Sequence, residues 1–148
     1  MADREIAKAA LEQVSGRKTD PVALDAYLED PTCYLVIALQ AGTPVGVLAG
    51  QVIRRAHQSQ PQFLLYEMDV VESVRRQGIG RALIERYRDE AYRAGASEVW
   101  VLTNASNVAA MRLYEQNGMV RENPDDVMWV LPLDGGAAVD GGLRPEEP

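Results

Sequence analysis

The stretch VRRQGIGRALIER (residues 74–86) sets two arginines and a Gly-Ile-Gly directly before a segment with a helical pattern. Backbone N–H groups at the start of a helix point outward, and the helix dipole favours a negative charge there. Glycine lets the backbone approach a ligand closely because no side chain intervenes. The stretch therefore predicts that the N–H groups of residues 76–81 bind an anion, a phosphate above all. The alternative is a strand-to-helix turn that needs glycine and carries surface arginines.

Two common phosphate-binding loops do not match this stretch. A P-loop ends in Gly-Lys followed by Ser or Thr, whereas Gly80 is followed by Arg81 and Ala82. The fingerprint of dinucleotide-binding domains needs a third small residue near position 83, which is Leu83 here. The remaining pattern is Arg-x-x-Gly-x-Gly, which begins at Arg75 and lies between a strand and a long helix.

Hydrophobic periodicity on both sides of the loop predicts a chain of helices and strands. The segments CYLVIAL and VGVLAGQVI flank the turn QAGTP and predict a hairpin. The order of elements is typical of an α/β fold with a mixed sheet. We expect one domain over residues 1–133 and a Gly/Pro-rich tail over 134–148. The predicted helices cover 4–14, 21–28, 79–95 and 104–116, and the predicted strands cover 33–39, 45–53, 63–71, 97–103 and 126–133.

Composition limits the classes of function. The 148 residues carry a formal net charge of −7, and nucleic-acid binding needs a basic face, so we expect no nucleic-acid partner. An acidic surface suits a cationic ligand, although solubility explains the same charge. Cys33 is the single cysteine, and no His, Cys and Asp/Glu residues have metal-ligand spacing, so we expect no disulfide and no metal. No apolar run reaches the ~18–20 residues of a membrane span, and the first residues lack a signal-peptide core, so we expect a cytoplasmic location and no membrane partner.

A second motif, NVAAMRLYEQNGM, occupies residues 107–119, and its Ala110 and Tyr114 lie on one helical face. With both motifs the chain resembles the GNAT family, the Gcn5-related N-acetyltransferases, over residues 33–131. The resemblance implies a single-domain GNAT fold with a mixed, mostly antiparallel sheet flanked by helices, and acetyl-CoA as cosubstrate. It also implies an opening strand, whereas residues 2–14 of this sequence have a helical pattern.

A narrower resemblance concerns residues 25–84, which are similar to the type I aminoglycoside 3-N-acetyltransferases. These proteins also carry a Tyr-acid-apolar strand before Arg-Arg-Gln-Gly-Ile, and an acidic pair before Val-Met near the C-terminus. The resemblance implies a homodimer that acetylates an amino group of an aminoglycoside, the 3-amino group, by direct attack in a ternary complex and so confers resistance. The alternatives are another amine acceptor, such as a polyamine, a small metabolite or a protein N-terminus, and an acyl-CoA-binding module without turnover.

Amine acetylation needs a base for the ammonium, a stabilised oxyanion and a proton for the leaving thiolate. The resemblance implies Glu67 as base and Tyr114 as acid. Asp69 shares a strand face with Glu67 and is a second base or an amine ligand. The alternatives are solvated acids, a core tyrosine and, for Asn107, a helix N-cap. The expected cofactor contacts are Met68, Val70, Arg75, Arg76, Gln77, Gly78, Ile79, Gly80, Arg81, Asn107 and Tyr114. The expected acceptor contacts are Tyr66, Glu67, Asp69, Glu72, Asp125, Asp126, Glu29 and Asp30.

Overall fold

The computed structural model describes residues 4–133. The chain divides into two compact units, of which the first ends at Leu102 and the second begins at Thr103. The first unit holds α1 (Arg4–Gln13), α2 (Pro21–Glu29), β1 (Cys33–Gln40), β2 (Thr43–Ile53), β3 (Gln62–Val70), a short 3₁₀ helix (Glu72–Val74), α3 (Ile79–Arg93) and β4 (Glu98–Val101). The second unit holds α4 (Val108–Gln116).

The sheet has the order β1-β2-β3-β4. Strands β1, β2 and β3 pair in antiparallel fashion, whereas β4 runs parallel to β3. The predicted α/β fold with a mixed, mostly antiparallel sheet is therefore confirmed. Because the long helix α3 connects β3 to β4, the loop that opened the sequence analysis lies at the end of β3.

Local sequence explains the first elements. The Asp20 carboxylate accepts hydrogen bonds from the N–H groups of Val22 and Ala23 at 2.8 and 3.0 Å, and Pro21 takes the first turn of α2. The hairpin turn between β1 and β2 places Ala41 and Gly42 at φ 49° and 79°. Two successive positive φ values match the twist of the flanking strands. The pairing register shifts by one residue close to this turn, between Ala38 and Leu39.

One face of the sheet packs against α3 through a core of aromatic rings. Phe63 and Tyr87 are both 0% exposed, with ring centroids 5.4 Å apart. The Tyr87 hydroxyl donates to the backbone oxygen of Leu64 at 2.8 Å. A Cβ at Gly50 would lie 2.7 Å from that same oxygen and would meet the Tyr87 ring. Glycine at this position therefore lets α3 lie close to the sheet.

A β-bulge interrupts β3 beside the predicted base. Ala49 pairs with Glu67 and Gly50 pairs with Leu65, so Tyr66 is an extra residue without a partner on β2. Bulges bend a strand and change where the following side chains point. Downstream of the bulge, Glu67 and Asp69 stand opposite Ala49 and Val47 and share the face that lies away from α3.

The prediction of a last strand over residues 126–133 is wrong, because the structure forms no strand there. Val127, Trp129 and Leu131 are 73%, 90% and 81% exposed. A strand needs a neighbour for its backbone groups as well as β-branched and aromatic residues, and within residues 4–133 no strand pairs with this run. Helix α4 also begins later than predicted, at Val108 rather than Asn104.

The predicted tail over 134–148 lies outside the described residues. None of the helices in the described part of the chain is long and apolar enough to cross a membrane. Within residues 4–133, no group of three or more His, Cys, Asp or Glu residues is arranged to hold a metal ion.

Candidate functional site

The loop before α3 leaves the first backbone N–H groups of that helix free of side-chain caps. Gly78 is the N-cap residue, with φ 83°, and no described side chain caps the helix. The first helical hydrogen bond runs from the N–H of Ala82 to the oxygen of Gly78 at 3.0 Å. The N–H groups of residues 79–81 precede it and have no partner within the helix. Gly78 in the left-handed region also fits the alternative of a turn that needs glycine, and anion binding by these N–H groups stays a prediction.

The arginines of the loop differ in their surroundings. Arg75 Nε donates to the backbone oxygen of Val70 at 3.0 Å, so this side chain folds the loop back on the end of β3. Arg76 has φ 63°, a left-handed value that costs a non-glycine residue about 1 kcal/mol or more. Arg75, Arg76 and Gln77 are all exposed, and Ile79 and Gly80 are half-buried. Strain of this kind is concentrated at ligand sites, which supports a binding role for the loop.

The second half of β3 has one free edge. Strand β4 pairs with β3 only from Gln62 to Leu65. From Tyr66 to Val70, β2 is the one strand of the described residues that pairs with β3. Met68 and Val70, two of the predicted cofactor contacts, lie in this segment, where backbone groups on the β4 side have no strand partner.

Glu67 lies in the wall of a cavity of about 230 Å³ between the sheet and the first two helices. Most of the lining is apolar, and the charged groups come from the α1–α2 loop and from Glu67 itself. Asp69 is half-buried on the same face of β3 but does not line the cavity. The lining residues are Leu11, Arg17, Lys18, Thr19, Asp20, Ala23, Leu24, Tyr27, Leu35, Ala49 and Glu67.

Arg17 is a residue that the sequence analysis missed. Its Nη2 atom lies 3.1 Å from Oε2 of Glu67, and the two side chains are 43% and 19% exposed. The sequence carried a weak signal, since the helix break SGRKTD has two adjacent basic residues. The long sequence separation and the turn at Gly16, with φ 66°, hid the contact.

The other predicted acceptor contacts of the first unit lie outside this cavity. Tyr66 is 66% exposed at the bulge, and Glu72 is exposed in the 3₁₀ helix. Glu29 is exposed at the last residue of α2. Asp30 Oδ1 accepts from the hydroxyl and the N–H of Thr32 at 2.7 and 2.8 Å, and the hydroxyl bond above all lowers the pKa of Asp30. Asp30 is thus engaged in its own turn.

The second unit holds the remaining predicted residues. Asn107 is the N-cap of α4, and its side-chain oxygen accepts from the N–H of Ala110 at 3.2 Å. The capping alternative is therefore confirmed, and a cofactor contact stays a prediction. Tyr114 is half-buried on α4, and this burial raises the pKa of its phenol. The phenol therefore keeps its proton at neutral pH, as a proton donor must.

The acidic pair of the second unit is exposed. Asp126 Oδ1 accepts from the side-chain amide of Asn123 at 2.9 Å, and the N–H of Asp125 donates to the oxygen of the same amide at 3.1 Å. Both carboxylates keep oxygens accessible to water, so a cation could reach them without breaking a helix or strand.

Sequence comparison relates the chain to bacterial enzymes. The family model described as acetyltransferase (GNAT) family matches residues 4–119. The [ribosomal protein bS18]-alanine N-acetyltransferase of Escherichia coli (strain K12) is 43% identical over an alignment of 81 residues, and the match covers 47% of this chain. The chain spans about half the length of that relative, at 55%.

Solved structures of acetyltransferases share the fold of this chain. An aminoglycoside acetyltransferase from an uncultured soil metagenomic sample has a TM-score of 0.74 and 25% identity, covering 87% of this chain and 89% of that one. An aminoglycoside N-acetyltransferase in complex with CoA has a TM-score of 0.71 and 18% identity, covering 87% and 88%. The family match spans most of the sequence, and the motifs RRQGIG and NVAAMRLYEQNGM both fall within it. The chain belongs to the acetyltransferase (GNAT) family.

Proposed function

We propose that the chain is an acetyl-CoA-dependent N-acetyltransferase whose acceptor is a cationic small-molecule amine, an aminoglycoside above all. The observation that carries this proposal is the position of Glu67. Its carboxylate lines a cavity and already binds a cation, the guanidinium of Arg17, at 3.1 Å. The same strand ends at Val70, nine residues before the uncapped start of α3 at Ile79.

The residues present fit the cosubstrate. The N–H groups at the start of α3, with Arg76 beside them, would hold the pyrophosphate of CoA, since a helix N-terminus binds anions. The edge of β3 that has no strand partner at Met68 and Val70 would hydrogen-bond the amide groups of the pantetheine arm, although the Val70 oxygen already accepts from Arg75. Bound there, acetyl-CoA supplies an activated acetyl thioester.

The protein side of the reaction is proton transfer and charge stabilisation. Glu67 takes the proton of the acceptor ammonium, directly or through water, and so makes the amine nucleophilic. Backbone N–H groups near Val70 stabilise the oxyanion that forms on the acetyl carbonyl. Tyr114 gives its proton to the sulfur that leaves; its place in the second motif and its protonated phenol support this role.

Charge favours a polycationic acceptor. Glu67 and Asp20 line the cavity, where Arg17 and Lys18 balance their charges in the free protein. Asp69 adds a further carboxylate on the same strand face as Glu67, and the chain has a net charge of −7. Several carboxylates suit a substrate with several ammonium groups. The likeness of residues 25–84 to the type I enzymes supports the 3-amino group as the site of acetylation.

A peptide N-terminus is the second candidate acceptor. It is favoured by the 43% identity, over 81 residues, to the [ribosomal protein bS18]-alanine N-acetyltransferase of Escherichia coli. The apolar part of the cavity, with Leu11, Leu24 and Leu35, would suit the side chain of a terminal residue.

A panel of acceptors separates these candidates. CoA release is measured as free thiol with gentamicin, kanamycin, spermidine and a short peptide with an N-terminal alanine. We expect the highest kcat/KM with an aminoglycoside. If the peptide is acetylated and neither aminoglycoside is, the result contradicts the proposed acceptor and favours the second candidate.

A substitution in the loop tests the cofactor site. Gly80→Asp places a carboxylate in the first turn of α3. There the negative charge interacts favourably with the helix dipole but repels a bound pyrophosphate. We expect the Kd for CoA to rise more than about tenfold and stability to be kept. Two like charges about 4 Å apart near a protein surface repel by about 4 kcal/mol, more than the ~1.4 kcal/mol of a tenfold change. Gly80→Asn has nearly the same shape without the charge and serves as control. Equal Kd values for the two variants would contradict pyrophosphate binding at this helix.

A further inference from the structure

We propose that Arg17 is a positioning residue that occupies the acceptor's place on Glu67 and must be displaced before the acceptor binds. This inference rests on the proposed function, since it assumes that Glu67 receives the acceptor ammonium. It adds that the chain carries its own competitor for that carboxylate.

The contact is between a charged base and a charged mimic of the substrate. Arg17 Nη2 lies 3.1 Å from Glu67 Oε2, within the reach of about 2.6–3.2 Å that a general base needs to the nitrogen whose proton it takes. Glu67 is 19% exposed and stands opposite Ala49 on the sheet. A carboxylate so placed needs a cation, and Arg17 supplies it until another arrives.

The backbone around Arg17 is held on both sides. The N–H of Arg17 donates to the oxygen of Leu11 at 3.3 Å. The Thr19 hydroxyl donates to Glu12 Oε1 at 2.6 Å, and this bond is the main cause of the lowered pKa of Glu12. Asp20 is fixed as the N-cap of α2. Displacement of Arg17 therefore takes rotation of its side chain, not movement of the loop.

The exchange is balanced in charge. An arriving ammonium replaces one cation on Glu67 by another, and the Arg17 guanidinium, which is 43% exposed, moves into water. A neutral acceptor offers no such replacement and would leave Glu67 without a cation. Arg17 thus sets both the affinity for the acceptor and the preference for a charged one.

The test is a comparison of steady-state constants for Arg17→Gln and the wild-type protein. An ion pair that is partly open to water is worth at most about 1 kcal/mol, or about fivefold. We therefore expect the acceptor KM of Arg17→Gln to fall about three- to fivefold, with kcat within about twofold of wild type. Arg17→Lys keeps the cation and should stay near the wild-type KM. Arg88→Gln removes an exposed guanidinium paired with Asp89 on α3 and serves as matched control.

Each outcome decides the inference. An unchanged or raised KM in Arg17→Gln, or a fall in kcat, would overturn it, because Arg17 would then be inert or would hold the acceptor itself. If the wild type accepts only the alanyl peptide, the aminoglycoside proposal fails and the comparison is made with that peptide. If the wild type turns over neither, turnover in Arg17→Gln alone still supports displacement, and no turnover in both proteins overturns both proposals.

Discussion

Glu67→Gln should lower kcat at least about 100-fold and leave the Kd for acetyl-CoA unchanged. The amide keeps the size of the side chain and its place opposite Ala49, but it takes no proton from the acceptor ammonium. General base catalysis contributes about 10²- to 10⁴-fold, which sets the expected loss. The measurement is steady-state CoA release, with acetyl-CoA binding followed by calorimetry.

The control for this substitution is Glu115→Gln, which makes the same chemical change at an exposed position of α4. We expect Glu115→Gln to keep the wild-type kcat. The Glu67 variant should remain folded, since the Arg17 guanidinium that loses its partner is 43% exposed to water. A Glu67→Gln protein with kcat within about threefold of wild type would show that another group is the base. Asp69 would then be the first candidate.

Tyr114→Phe should lower kcat about 100-fold, with the Kd for acetyl-CoA within about twofold of wild type. The substitution removes one hydroxyl and keeps the ring that α4 half-buries. Burial holds the pKa of this phenol above its ordinary value, so the proton is present throughout the neutral range and is lost only at a higher pH than for a free tyrosine. Without this proton the thiolate leaves more slowly. The expected loss in kcat lies at the lower end of the ~10²- to 10⁴-fold that general acid catalysis contributes.

Tyr92→Phe provides the matched change, because Tyr92 is 85% exposed on α3. We expect it to have no effect on kcat. Tyr114→Phe with wild-type turnover would assign the tyrosine to packing alone and leave the thiolate to be protonated by water.

Much of the fold follows from local sequence. Asp20-Pro21 marks the start of α2, and the Ala41-Gly42 turn fixes the hairpin. The pattern of apolar residues places α3 within a residue or two of where it lies, with Gly95 at φ 69° just beyond its end. These features depend on residues that are adjacent in the sequence, so the sequence alone is enough to predict them.

The features that the sequence did not predict depend on residues that are distant from one another in the sequence. Residues 126–133 have the composition of a strand, but pairing decides whether a strand forms, and composition does not show pairing. The bulge at Tyr66 depends on the register between two strands. Arg17 reaches Glu67 only because the α1–α2 loop and β3 line the same cavity. The homodimer, the cytoplasmic location and the single domain over 1–133 stay predictions.

The most direct test of the central claim is the product of one reaction. The full chain is incubated with acetyl-CoA and kanamycin, CoA release is followed with time, and the product is identified by mass and NMR spectra. We predict one acetyl group per kanamycin, attached at an amine, with CoA release that depends on kanamycin and is lost in Glu67→Gln. CoA release at the same slow rate with and without every amine of the panel would contradict the account.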